Sequence, residues 1–413
     1  MRGLLLLAAW LLTPGAWAGE PGSNYGDTPE ELRPYGRWDA DPYKHFFSTA
    51  PMYRGPGREE PEPAGLKEVR LGLFTPLEGD SDDAIAGRDS RDGIQLALEE
   101  ANAAGGYKGL PFRLAERNDQ LLWGAAAKAV VDLAYDEKVW AVLGSIDSNS
   151  THVAIRMALK IHLPFLNVGA NSADVTETNI PWVIRSTPDD RQTAIVLAQE
   201  ILGRRGLSRV AVLRLAERYG RTGILKFREA APRLRKPLPI EIQFAAGTTD
   251  FSDQLARIAA AKAEAVLIWA KAKEAALIVR QLRARGMEQP VFGTDRMATP
   301  AFLAAAGPAA EDATMTYWMD MERPDPAWQG FRKRFRARYG REPEAFAAFG
   351  YDSARILVAA VRKAGLNRVR IRDELFALRR YQGVSGAMRF DVTSNNISRP
   401  KLLRVQGGRF VFH

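Results

Sequence analysis

From Val69 onward the chain switches repeatedly between two spacings of apolar residues. VRLGLF, at 69–74, is a short run of strand length, whereas DGIQLALEEANAA places Ile94, Leu98 and Ala101 on one helical face and stops at Gly105-Gly106. FRLAERND then predicts a strand, AAAKAVVDLAYDE a helix, VWAVLG a strand, and HVAIRMALKIH a helix leading into PFLNVG. Strands alternating with helices of this length predict a mostly parallel sheet covered on both faces. The pattern restarts after IRSTPDD at 184–190. TAIVLAQEILGRRG, TGILKFREAAPRL, FSDQLARIAAAK and EAALIVRQLRARG are the helices there, and RVAVLRLA, IEIQFA, AVLIWA and PVFGTD the strands. Two α/β units in tandem predict two lobes, as does a length of 413 residues, which exceeds what one core usually supports.

Past TMTYWMD, helices are expected around GFRKRFRARYG, YDSARILVAAVRKAG and RDELFALRRY. MRFDV and KLLRVQGGRFVFH predict short terminal strands, antiparallel through the QGG turn. At the other end, MRGLLLLAAWLLTPGAWAGE has an early arginine, an apolar run over 4–12, a Pro-Gly break and small residues at Ala16 and Ala18. It predicts an export signal over 1–18, too short for a membrane span. Residues 19–65 form an extension rich in proline and aromatics, including Tyr25, Tyr35, Trp38, Tyr43, Phe46, Phe47 and Tyr53. So many aromatics predict an irregular strap docked on the body or on a partner, with a mobile leader as the alternative.

Composition narrows the function classes. Apolar residues at 46% and charged residues at 26% fit a globular chain, and no later stretch is apolar for long enough to span a bilayer. Cysteine is absent, which excludes disulfides, a lipidated N-terminal cysteine and thiolate metal sites. The net charge of +9 would suit nucleic acid, but an exported chain rarely meets it, so a solvated basic surface is the reading and no nucleic-acid partner is expected. In GFRKRFRARYGR, Phe331, Phe335 and Tyr339 share a face and the arginines cover the remainder, as in an amphipathic helix.

Candidate chemistry gathers where predicted strands end. GSIDSNST, at 144–151, offers the hydroxyls of Ser148, Ser150 and Thr151 at a helix start, with Ser150 or a neighbour as the cap. Two readings stand there: a seat for a carboxylate or other anion, and a plain cap with surplus polar residues. NVGANSAD brings Asn167, Asn171 and Ser172, ERYGRTG brings Tyr219, and VFGTDRM brings Asp295. None of the four histidines falls into a metal-ligand spacing, and nucleotide-binding glycine loops and a GxSxG elbow are absent. GDSDDAIAGRD lacks the alternation of a calcium loop and reads as a mobile acidic turn. No catalytic residue, metal site or cofactor is expected.

Taken together, DGIQLALEEANAAGG, RNDQLLWGAAAKAVVDLAYDEKVWAVLGSIDSNST, LPFLNVGANSADVTE, WVIRSTPDDRQTA, RVAVLRLAERYGRTG and FAAFGYDSARILVAAVRKAG resemble the periplasmic substrate-binding proteins of ABC importers. The likeness is to the type I fold, in the Leu/Ile/Val and amide-binding branch. It implies two Rossmann-like lobes with mostly parallel sheets on a three-segment hinge, the first at 66–187 plus 317–384 and the second at 188–316 plus 385–413. It also implies a non-catalytic periplasmic receptor that closes on a small polar ligand, an amino acid or related carboxylate, and delivers it to the importer's membrane subunits. The alternative is a non-transport binding partner or sensor subunit for an exported enzyme or receptor, engaged through the N-terminal extension or the closed-lobe surface. By position, the resemblance places Ser148 and Asn149 in the loop meeting a carboxylate, Gly169 and Asn171 in the next loop, and Tyr219 at the aromatic wall. Asp295 falls at the acid that pairs with an ammonium, and Lys271 at a position commonly occupied by tyrosine.

Overall fold

The computed structural model describes Tyr25, residues 28–33 and residues 47–413. The export signal at 1–18 and the aromatics Tyr35, Trp38, Tyr43 and Phe46 lie outside the described residues. One sheet has five parallel strands in the order β2-β1-β3-β4-β5. They are β1 Val69–Thr75, β2 Phe112–Asn118, β3 Val142–Gly144, β4 Phe165–Asn167 and β5 Val183–Arg185. The other sheet has seven strands, in the order β14-β13-β10-β9-β8-β6-β7. Here β6 Val210–Leu215, β7 Ile240–Phe244, β8 Ala265–Trp269, β9 Val291–Gly293 and β10 Thr314–Tyr317 are parallel. The hairpin of β13 Lys401–Gln406 and β14 Arg409–Phe412 adds two antiparallel strands at the edge. Every residue of β8 is buried, as expected of a strand covered on both faces, and this is why such strands read as unbroken apolar runs.

Backbone crosses between the two bodies after β5, after β10, and between the β11–β12 hairpin (Arg380–Gly383 and Gly386–Arg389) and β13. The expected boundary at 384/385 therefore falls in the turn of this hairpin. Asp352 of helix Ala345–Ala364 holds the turn, accepting from the Val384 N–H at 3.0 Å, the Ser385 N–H at 2.8 Å and the Ser385 hydroxyl at 2.6 Å. The hairpin is thus one unit on the first body, and the crossing comes after Arg389. Where the crossings meet, Asn396 Nδ2 donates to the Ser186 carbonyl at 2.5 Å and Ser353 Oγ to Ser186 Oγ at 2.7 Å. Arg185, fully buried, lies 3.3 Å from Asp189.

Helix Asp82–Ala103 is capped by Ser81, whose Oγ accepts from the Ala84 N–H at 3.2 Å, and packs closely on helix Ala345–Ala364. A Cβ at Gly93 would come within 2.0 Å of the Ala347 carbonyl oxygen, and one at Gly350 within 2.5 Å of the Ser90 carbonyl oxygen. A glycine on each helix is therefore what lets the two backbones approach. The basic helix Pro326–Tyr339 buries Phe331 and Phe335, and its Arg334 and Arg338 pair with Glu100 and Glu99 at 2.8 and 3.0 Å.

The described parts of the extension lie against the chain's own body. Tyr53 meets Trp182 edge-on at 4.7 Å, Arg58 pairs with Asp373 at 2.8 Å, and Asn367 Nδ2 donates to the Gly57 carbonyl at 2.7 Å. These contacts are to the first body. Leu32 instead joins the apolar cluster of Leu197, Ile201 and Phe227 in the second, and Arg233 donates to the Glu30 carbonyl at 3.2 Å. The extension therefore touches both bodies.

Candidate functional site

The carboxyl ends of the two parallel sheets face each other, the place where open α/β sheets offer unpaired loop groups to a ligand. After β3 the chain turns through Ser145, Ile146 and Asp147 into helix Ser148–Ile161. Asp147 is the cap: its Oδ2 accepts from the Ser150 N–H at 2.7 Å, so Ser150 contributes its backbone there rather than capping. Burial, eased by that Ser150 bond, leaves the Asp147 carboxyl pushed up to about 6. The Thr151 hydroxyl accepts from the Ser145 N–H at 3.2 Å, and the Ser148 hydroxyl from the Ser172 N–H at 3.3 Å. The expected seat for an external anion is thus occupied by the chain's own carboxylate. Asn149 is half-buried in the first turn of the helix.

After β4, Gly169 packs so tightly that a Cβ would lie 2.4 Å from Ile146 Cδ1. Asn171 is fully buried and reaches across to the second lobe, where its Nδ2 donates to Asp295 Oδ2 at 2.9 Å. Tyr219, in the first turn of helix Arg218–Arg233, is buried with its hydroxyl on Thr294 Oγ1. Lys271, before helix Ala272–Ala284, extends Nζ to 2.8 Å from Asp83 and 3.2 Å from Glu217. Burial pulls its ammonium down, but Asp83 and Glu217 outweigh burial and hold the group charged.

Arg296, next to Asp295 after β9, was not singled out by the sequence reading, and it decides the geometry. Its Nη2 donates to the carbonyls of Ile146 at 2.7 Å and Gly169 at 3.1 Å, and its Nη1 to Asp83 Oδ1 at 3.3 Å. The Asn171–Asp295 bond and the reach of Arg296 to the Ile146 and Gly169 carbonyls join the two lobes where these loops meet. An open cavity of about 200 Å³ lies on the other side of Arg296. Lys271 and Asp295 line it, together with Asp82, Ile85, Glu344 and Phe346. Ser148, Asn149, Gly169, Asn171 and Tyr219 are not part of its lining.

The acidic stretch GDSDDAIAGRD is the start of helix Asp82–Ala103, with Asp83 and Asp89 buried, rather than a mobile turn. Its legible signal was Ser81 followed by two acids ahead of an amphipathic run, a helix-start pattern. Burial raises the Asp83 carboxyl, but Lys271 and Arg296 outweigh burial and bring it below its ordinary range. Asp295 stays raised by burial despite Arg296, and its Oδ1 is buried without a hydrogen-bond partner among the described residues. An orphaned carboxylate oxygen in a residue lining a small cavity favours a solute with a donor or a positive charge.

A larger groove of about 1010 Å³ runs between the extension and the first lobe, past Pro61, Glu68 and Arg70. It lies at the amino end of β1, the wrong end of the sheet for a ligand site in this architecture. Its lining is a mixture of prolines and exposed charges, whereas the charges lining the interlobe cavity are buried (Asp83, Asp89, Asp295, Arg296) or half-buried (Asp82, Lys271, Glu344).

Glu344 is pushed up to about 6, by burial first and then by Asp89, with the Tyr317 hydroxyl and Arg341 opposing. A carboxyl raised in the fold contributes stability that is present below its unfolded value and lost as pH rises through about 6. Glu344→Gln is therefore expected to match the wild type near pH 4 and to exceed it above pH 6 by roughly 1–2 kcal/mol. Urea denaturation at both ends of that window measures the difference, and an equal gap at the two pH values would contradict it.

A family model described as periplasmic binding protein matches residues 68–408. An amino acid binding protein of Pseudomonas aeruginosa is 27% identical over 304 residues, covering 73% of this chain and 80% of that protein. The branched-chain amino acid transporter substrate-binding protein LivJ of Streptococcus pneumoniae, solved in complex with isoleucine, superposes with a TM-score of 0.73 at 25% identity. That match covers 84% of this chain and all (100%) of LivJ. The leucine binding protein LivK of Thermotoga maritima superposes with a TM-score of 0.77 at 24% identity, over 84% of this chain and 97% of its own, and speaks to the fold. With two α/β lobes of mostly parallel sheets and a family match over residues 68–408, the chain belongs to the periplasmic binding proteins and is a solute receptor rather than an enzyme.

Proposed function

We propose that the protein is an exported periplasmic receptor that captures a small polar solute, an amino acid or related carboxylate, and delivers it to the membrane subunits of an ABC importer. The observation that carries the ligand reading is Asp295, a buried carboxylate lining the interlobe cavity with one oxygen unpartnered among the described residues. A solute ammonium or other donor meets Asp295 and Glu344, a carboxylate is drawn towards Lys271, and the apolar body lies against Ile85 and Phe346. Charges of both signs in the lining suit a zwitterion. At about 200 Å³ the space is below the ~300–1,000 Å³ of sites for drug-sized ligands, which suits a small metabolite. Asn171 and Tyr219 then act by holding Asp295 and Thr294 in place, and Ser148, Asn149 and Gly169 by shaping the first-lobe loops.

The lobes take the division 66–187 with 317 onward, and 188–316 with the C-terminal strands, the β11–β12 hairpin staying whole on the first. Delivery follows from closure, which desolvates the solute and gives the two lobes a new joint outer face. The similarity to LivJ and to the amino acid binding protein supports the same reading. A role for the extension in gripping a second exported protein has less support, since Tyr53 and Leu32 pack on the chain's own lobes.

Protein unfolded and refolded to strip co-purified solute is the material for the test. Calorimetry against the common amino acids and small carboxylates should find saturable binding, with a smaller radius of gyration by solution scattering. A native fold that binds none of them would contradict the proposal.

A further inference from the structure

Arg296 belongs to the second lobe, yet most of its polar contacts are with the first. Its side chain is 9% exposed. Nη2 donates to the Ile146 carbonyl at the end of β3 and to the Gly169 carbonyl at the end of β4, with Asn171 Oδ1 at 3.4 Å. Nη1 donates to Asp83 on helix Asp82–Ala103, and the guanidinium carbon lies 4.9 Å from the centre of the Phe346 ring on helix Ala345–Ala364. Four separate elements of the first lobe thus converge on one planar cation. Two of the acceptors are backbone carbonyls, whose positions are set by the fold.

A strand-end loop that turns carbonyls inward is a cation seat, and a planar fork with several donors fills such a seat better than a lysine would. We infer, on the receptor reading of this cleft, that Arg296 is the resident cation of the first-lobe loops and the residue that sets the receptor's specificity there. A solute amine finds the Ile146 and Gly169 carbonyls already satisfied. It is confined to Asp295 and Glu344 on the cavity side, so the receptor accepts solutes whose charged groups fit that smaller space and rejects those that need the loop carbonyls. Arg296 also ties lobe closure to a contact the protein makes for itself, since the seat and its occupant lie on opposite lobes.

Arg296→Ala empties a guanidinium-shaped seat, and methylguanidine is the probe that fits it. The variant is expected to melt at a lower temperature and to recover part of the loss saturably with millimolar methylguanidine. Methylammonium at equal ionic strength should recover little, and the wild type should respond to neither. A folded Arg296→Ala protein that responds to methylguanidine no more than the wild type does would overturn the inference. Arg296→Lys covers the case in which the alanine variant does not fold: it keeps the charge and loses the fork. Its radius of gyration should exceed that of the wild type and its solute selectivity should broaden to amines that the wild type rejects, and an unchanged radius with unchanged selectivity would overturn the inference equally. Neither the melting nor the scattering readout requires the solute. Failure of the wild type to bind any solute would therefore count against the receptor reading while leaving the methylguanidine result to stand or fall alone.

Discussion

Asp295→Asn is expected to weaken capture of an ammonium-bearing solute by thirtyfold or more while leaving the fold as stable as the wild type, or more so. The carboxylate is buried and raised above its ordinary range, and among the described residues only Oδ2 has a hydrogen-bond partner, the amide of Asn171. Removing one member of a buried charge pair costs about 2–5 kcal/mol of binding, which is the origin of the thirtyfold floor. Stability moves the other way because an incompletely paired buried carboxylate is itself a burden on the fold. A raised carboxyl loses its contribution as pH rises through its folded value, and asparagine has no proton to lose. Asparagine also keeps the volume and an acceptor for the Asn171 amide. Binding and stability changing in opposite directions marks a residue held in place for its ligand. Calorimetry and urea denaturation on the same preparation measure both. A variant that loses binding and stability in parallel would instead make Asp295 a structural acid.

Arg185→Met is expected to cost about 3 kcal/mol of stability, near the lower end of the range for breaking a buried ion pair. Arg185 and Asp189 are both fully buried where the backbone first crosses between lobes, 3.3 Å apart. Arg185 also donates to the carbonyls of Asn171 at 3.3 Å and of Ser172. Its guanidinium thus fixes the β4 loop that carries Asn171 to Asp295. Burial pulls the arginine's own pKa down even beside Asp189, so the pair is held at some cost in desolvation. Arg191 remains 3.3 Å from Asp189 in the variant, which keeps the loss from the upper end of the range. The denaturation midpoint should fall with an unchanged slope, whereas a loss under 1 kcal/mol would mean that the crossing is held chiefly by Asn396 and Ser353.

The architecture was readable because buried parallel strands leave a plain trace. AVLIW is buried at every position, and the helices between such runs carry a face period that survives any neighbour. The β13–β14 hairpin was readable for a similar reason, since a glycine pair at a tight turn is local information. The expected lobe boundary at 384/385 falls in the β11–β12 turn, and nothing local in that stretch says that Asp352, more than thirty residues earlier, will clasp that turn. Small polar residues after strands mark the candidate loops in the sequence; in the fold Asn171 bonds to Asp295 across the lobes, and Lys271 and Asp295 line one cavity. The cavity's position was not legible. It is set by how far one arginine reaches, and an Arg beside an Asp in VFGTDRM looks like any surface pair until the opposite lobe is in place. The acids of GDSDDAIAGRD read as a mobile turn for the related reason that the partners that bury Asp83, Lys271 and Arg296, come from the other lobe.

A crystal structure of the refolded protein with the solute selected by calorimetry tests the central claim most directly. Density is expected in the cavity between Asp295, Glu344, Lys271 and Phe346, with a donor group of the solute on Asp295 Oδ1 and Arg296 still on the Ile146 and Gly169 carbonyls. Density for that solute in the groove beneath the extension, with the interlobe cavity holding only water, would contradict it.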